Sequence, residues 1–229
     1  MKRSAINQLM REATGFIQKR GFYLPPFAFW TPEIWRTKGE EVREIVDRQL
    51  GWDITDFGLG NFQKYGLLLF TIRNGDPQNL KGMTGKIYCE KLLIVGEGQI
   101  TPFHFHRLKT EDIINRGGGK LAMQLYNSSK EEKLADTDVA ISIDGDRRVL
   151  SAGSIIQLEP GESVTYPSFL YHQFWGVGGT ILVGEVSVVN DDHNDNRFYQ
   201  NVGRFPHVEE DEPVLYPLVN DYSRFYKYG

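Results

Sequence analysis

Four residues in this sequence have the types and spacing to hold a metal ion. His104 and His106 are two apart, so on a strand both imidazoles project from one face. Glu111 follows five residues later and could add a carboxylate oxygen from the same strand or from the start of the next. His172 lies far along the chain, in Leu170-Tyr171-His172-Gln173-Phe174-Trp175, which reads as another strand. Three imidazoles and one carboxylate suit Mn, Fe, Co, Ni or Zn, and the donor types alone do not choose among them. A His-x-His pair is common outside metal sites. A lone histidine on an apolar strand is more often a core residue with its hydrogen bonds satisfied. Taken by themselves, these residues leave both readings open.

The elements that would carry them emerge from the apolar pattern. Ile6, Leu9, Met10, Ala13 and Ile17 fall at helical spacing, with Ser4 as the expected N-cap and Gly21 as the stop. Pro25-Pro26 forces an extended link. Thr31-Pro32-Glu33 marks a second helix start, and Gly39 divides the stretch up to Leu50 into two shorter helices. From Gly51 the pattern changes to short runs separated by Gly, Asn and Asp. Strands are expected over 67–72, 86–96, 100–106, 120–126, 138–143, 154–158, 163–166, 170–175 and 180–189, with a hairpin turn at Asp144-Gly145. Many short strands at even spacing predict a mainly β sandwich or barrel. The expected division is a helical extension over 1–50, a β-barrel over 51–200 and a tail over 201–229 packed on the barrel, all in one domain.

Composition narrows the function classes. The formal charge of −4 argues against nucleic-acid binding, which draws on a basic surface. No apolar run is long enough to span a bilayer. The single cysteine, Cys89, excludes a disulfide within the chain and reads as a buried, inert thiol. With no apolar leader after Met1, a cytoplasmic protein is expected.

A family pattern then bears on the four residues. Gly98, five residues, His104, one residue, His106, four residues, Glu111, six residues and Gly118 match the first cupin motif. Gly161, five residues, Pro167 and then His172 resemble the second, with Phe169 where that motif usually has Gly and Gly176 where it often has Asn. The long gap between the motifs implies an inserted hairpin around residues 127–150. The flanks are closer still. Thr101-Pro102-Phe103-His104-Phe105-His106 and Lys109-Thr110-Glu111-Asp112-Ile113-Ile114-Asn115-Arg116-Gly117-Gly118-Gly119 resemble the D-lyxose isomerase family of cupins. So do Leu24-Pro25-Pro26-Phe27-Ala28, Leu50-Gly51-Trp52-Asp53, Gly184-Glu185-Val186-Ser187, Val189-Asn190-Asp191-Asp192 and Glu209-Glu210-Asp211-Glu212-Pro213.

The resemblance implies a cupin β-barrel holding one divalent ion, taken as Mn2+, on His104, His106, Glu111 and His172. It implies an aldose–ketose isomerase acting on D-lyxose and D-xylulose, with D-mannose and D-fructose as a further pair, through an enediol. It also implies a homodimer. Isomerisation needs a base besides the ligands. Glu185 interrupts the apolar run Ile181-Leu182-Val183-Gly184-Glu185-Val186 and is the leading candidate; its other reading is a partner for a buried lysine or arginine. Lys109 could steady the enediolate or be a solvated surface lysine. Asp191, Asp192 and Arg197 lie in a polar stretch suited to sugar hydroxyls, or to a plain solvated turn. Two rival functions share the ligand set: a metal-cupin dioxygenase and a non-catalytic sugar-binding cupin.

Overall fold

The computed structural model describes residues 1–228 apart from 193 and 205. Helix α1 spans Arg3–Gln18; short helices come later at α2 (Pro32–Trp35), α3 (Arg43–Asp47), α4 (Asn79–Gly82) and α5 (Tyr222–Phe225). The strands among the described residues are β1 (Gly51–Thr55), β2 (Leu67–Asn74), β3 (Tyr88–Val95), β4 (Thr101–His106), β5 (Glu111–Asn115), β6 (Lys120–Ser128) and β7 (Leu134–Ala135). After them come β8 (Val139–Ile143), β9 (Asp146–Leu150), β10 (Ile155–Leu158), β11 (Ser163–Tyr166), β12 (Leu170–Val177), β13 (Ile181–Val188) and β14 (Asn196–Phe198). One sheet runs β1-β2-β3-β13-β5-β11-β8-β9 and the other β10-β6-β12-β4-β14, with β7 beside β6. Neighbouring strands are antiparallel throughout. The two curled sheets make the cupin barrel that the motifs imply.

Burial explains why the strand runs read as continuously apolar. In β2, Leu67 and Leu69 face the barrel interior, where they join Leu93, Ile113, Met123, Leu125, Phe174 and Val183. Leu68, Phe70 and Ile72 face the other way and lie under Ile6, Met10, Ala13 and Ile17 of α1. Both faces of the large sheet are therefore dry at β2, and the period-two signal of a half-wet strand is lost there. Each such side chain contributes about 1.5–3 kcal/mol of burial. The tail crosses α1, where Arg3 is 1% exposed and pairs with Glu210 and Asp221. It then lies along β1 through a bridge from Leu218 to Trp52. Trp35 packs on Tyr222 at 4.5 Å between ring centroids, which joins the tail to α2.

Several local expectations change. Helix α1 begins at Arg3 with Lys2 as N-cap, and Ser4 lies inside it. The Ser4 backbone N–H and hydroxyl instead both donate to Asp211 of the tail. Thr31 does precede Pro32 at the start of α2, and Gly39 separates α2 from α3. Strands β1, β5, β7 and β14 were not among the expected runs, and β9 was expected only as the second arm of the hairpin that turns at Asp144-Gly145. β9 is almost wholly exposed, and β1 opens on a glycine at positive φ, so neither shows an amphipathic pattern. The Asp144-Gly145 turn does join β8 to β9 as a hairpin.

Candidate metal centre and active site

β4 and β12 are adjacent and antiparallel, with His104 opposite His172. Alternation along β4 puts His104 and His106 on the inner face. Phe105 between them points outward to Phe169 and Tyr171, at 5.3 and 4.8 Å between ring centroids. The ligand atoms of His104, His106 and His172 all lie within 4.8 Å of one another, and all three residues are buried. Glu111 opens β5, and its Oε1 lies 3.2 Å from His106 Nε2 and 3.3 Å from His172 Nε2. Bonds of about 2.0–2.2 Å to a common ion place ligand atoms about 3–4.4 Å apart, so the three histidines can hold a transition-metal ion, with the Glu111 carboxylate beside two of them.

The tautomers agree with that fit. Nδ1 of His104 is 2.8 Å from the Pro102 carbonyl, and Nδ1 of His172 is 3.0 Å from that of Leu170. A carbonyl only accepts, so each Nδ1 carries the hydrogen and each Nε2 presents its lone pair inward. Burial, then the neighbouring imidazoles, hold His104 well below the usual histidine range. Burial takes His172 down to about 4. Both rings are thus neutral donors at neutral pH. Burial alone would raise the Glu111 carboxyl, but Lys109 and His106 hold it well below the usual carboxylate range.

The two departures from the second cupin motif have backbone reasons. Phe169 adopts φ 64°, the left-handed region that a glycine occupies without strain. Its N–H donates to the His106 carbonyl at 2.8 Å, which ties the turn before β12 to the end of β4. At Gly176 a Cβ would stand 2.6 Å from the Gly96 carbonyl oxygen, because the Gly176 N–H donates to that carbonyl and holds the two backbones together. No side chain fits at that position.

Around the histidines runs a chain of alternating charges, buried at Lys109, Glu111, Glu185, Lys91 and Asp53 and half-buried at Asp192 and Arg204. Lys109 Nζ is 2.8 Å from Glu111 Oε2 and 2.8 Å from Glu185 Oε1. Lys91 Nζ is 3.3 Å from the same Glu185 oxygen and 3.9 Å from Asp192 Oδ1. Arg204 Nη2 then joins Asp192 at 2.9 Å and Asp53 at 2.6 Å. Burial opposes the charge on Lys109, but Glu111 and Glu185 outweigh it and hold the ammonium above its usual range. Lys109 is therefore not a solvated surface lysine; it is 2% exposed. Glu185 lines the cavity with His104 and His106, and it partners two lysines, as the second of its two readings has it.

The cavity also gathers groups that sequence reasoning passed over. Lys91, Thr101 and Arg204 line it, and the Thr101 hydroxyl is buried without a hydrogen-bond partner among the described residues. Lys91 carried a signal, since it interrupts the strand Cys89-Glu90-Lys91-Leu92 much as Glu185 interrupts its own. Arg204 carried none. Of the three expected sugar-binding residues, only Asp192 lines this cavity. Arg197 is opposite Phe105 on β14 and so faces away, with its Nε 2.8 Å from Glu132. Asp191 holds the backbone and side chain of Asn194 and lies outside the cavity lining. Cys89 is buried, and burial pushes its thiol up to about 12, as an inert cysteine requires.

Comparison with known proteins shows the family. A sequence profile described as D-lyxose isomerase matches residues 1–222. A D-lyxose/D-mannose isomerase of Serratia proteamaculans is 46% identical over 228 residues, 98% of this chain and 99% of that one. Another from Escherichia coli O157:H7 is also 46% identical over 228 residues, covering 98% of this chain and 100% of the relative. The fold is similar to that of the L-ribose isomerase of Acinetobacter sp. DL28, with a TM-score of 0.62 and 14% identity over 91% of this chain and 98% of that one. The chain belongs to the D-lyxose isomerase family and is a sugar isomerase.

Proposed function

We propose that this enzyme interconverts D-lyxose with D-xylulose, and D-mannose with D-fructose, through an enediol, with one divalent ion held by His104, His106, Glu111 and His172. The observation that carries the reading is the contact of Lys109 with both Glu111 and Glu185, which joins a ligand carboxylate to a second carboxylate outside the ligand set in one cavity. When bound, the ion, taken as Mn2+, supplies Lewis acidity at the sugar's carbonyl oxygen. Glu185 takes the proton from C2 of the aldose and returns it to C1, while the hydroxyl proton on O2 passes to O1. Both lysines meet Glu185 at Oε1, so Oε2 carries neither of those bonds and is the atom to take the proton. Lys109 places a fixed cation beside the charge that develops on the enediolate oxygens. Asp192, braced by Arg204, and the hydroxyl of Thr101 are polar groups for the remaining sugar hydroxyls. The enzyme is taken to act in the cytoplasm as a homodimer.

The test is aldose turnover by protein stripped of metal, with single divalent ions added back, and then by His104→Ala, His106→Ala, Glu111→Ala and His172→Ala. Turnover should vanish on stripping, return with one ion, and fall together with bound metal in each variant. Full turnover by the stripped protein would end the metal reading. Anaerobic turnover separates an isomerase from a dioxygenase.

A further inference from the structure

His106 is held differently from the other two histidines. They donate Nδ1–H to backbone carbonyls two residues back. Nδ1 of His106 is buried and has no hydrogen-bond partner among the described residues. Across from it, 3.9 Å away, stands Asp195 Oδ2. Asp195 has the complementary deficit. It is 5% exposed, and among the described residues its carboxylate accepts only the backbone N–H groups of Leu108 at 2.7 Å and Lys109 at 3.1 Å. Among the same residues no lysine or arginine pairs with it. A buried carboxylate served by neutral donors alone is poorly compensated, and so is a buried ring N–H with no acceptor. Each group has what the other lacks.

The requirement sharpens with the ligand role of His106, on which this inference rests. A ring that coordinates through Nε2 must carry its hydrogen on Nδ1, and that N–H needs an acceptor. Asp195 is well anchored to provide one. Its carbonyl accepts the Arg107 N–H at 3.0 Å, and its own N–H donates to the Asp191 carbonyl at 3.0 Å. The turn over 107–110, which carries Lys109 between two ligands, is thus bonded to Asp195 through three successive N–H groups.

We propose that Asp195 is a positioning residue of the metal centre: its Oδ2 accepts the His106 Nδ1–H and fixes that ring, while the same carboxylate holds the turn that places Lys109. Asp195 therefore couples ligand geometry to the position of the cation.

The test compares wild type and Asp195→Asn for affinity toward Mn2+ and Zn2+, by competition with a chelator and without sugar. The amide keeps the shape but offers an N–H group where N–H groups must be accepted. The expected loss of metal affinity is about 10–100-fold. Affinity within twofold of wild type, with only kcat lowered, would show that Asp195 merely braces the turn, and would overturn the proposal. If wild type itself binds neither ion, the metal reading fails first and this one falls with it. A second measurement does not depend on the variant folding. In Zn2+-loaded wild type labelled with 15N-histidine, three protected ring Nδ1–H signals are expected. Only two protected signals would refute the bond.

Discussion

Glu185 is held by two lysines, so its removal perturbs charge balance as well as any proton transfer, and the two effects separate in a double-mutant cycle. In Glu185→Gln, Lys109 keeps Glu111 at 2.8 Å. Lys91 loses its 3.3 Å carboxylate and is left with Asn190 Oδ1 at 2.6 Å and Asp192 at 3.9 Å. At an effective dielectric near 20, a unit pair at that separation is worth about 5 kcal/mol. Breaking one side of a buried pair costs about 3–5 kcal/mol, which is of the same size. For a chain of this length that lowers Tm by roughly 6–20 °C. Adding Lys91→Met removes the stranded cation, and most of the lost Tm should return. Turnover should not return, because the methionine restores no base; it should stay at least about 100-fold down in both variants. The assay is exchange of the substrate's C2 proton with deuterated solvent, read beside thermal melting of the same samples. Recovery of both melting and exchange in the double variant would refute the base assignment and leave Glu185 as a charge partner only.

Lys109→Ala should keep its metal but lose kcat by about 100–1000-fold with little change in KM, since the ammonium acts on charge that develops during the reaction; steady-state kinetics beside metal analysis decides it. Arg3→Met should destabilise the chain by about 3 kcal/mol in urea titrations, because Arg3 bridges Glu210 and the buried Asp221. The Arg3 hydrogen bond draws the Glu210 carboxyl down to about 2, from 4.5. The folded value lies below the unfolded one, so this stabilisation is full above about pH 4.5 and is lost as pH falls toward 2. Urea titrations at pH 6 and pH 3 should therefore differ less in Arg3→Met than in wild type. Cys89 should resist thiol reagents in the native protein and react only on unfolding; reaction at the rate of a free thiol would show that the strand opens.

Some of this protein was legible in residue order because the relevant geometry is local. Two histidines two apart on a strand must share a face, and Phe105 between them must leave it, whatever the rest of the fold does. Glycines at 98, 118 and 161 adopt positive φ, as turns in the motif require, so the motif spacing is a property of backbone alone. Charged residues inside apolar strands were legible for a related reason. Desolvation makes a lone carboxylate at Glu185 costly in any fold, so it had to be paired or used. Tertiary structure decided what satisfies it. Lys91 comes from β3, Lys109 from the turn after β4 and Glu185 from β13, and only strand order brings them to one point. The same holds for Arg204, an arginine in an irregular segment whose partners Asp53 and Asp192 are far from it in the chain or across a turn. Asp191, Asp192 and Arg197 looked alike in the sequence. A single residue of register then turned Arg197 outward, while its neighbours Asn196 and Phe198 face the cavity. Short strands at sheet edges and loops near a barrel mouth have no periodicity to read, and their side chains are assigned by the packing of the whole barrel.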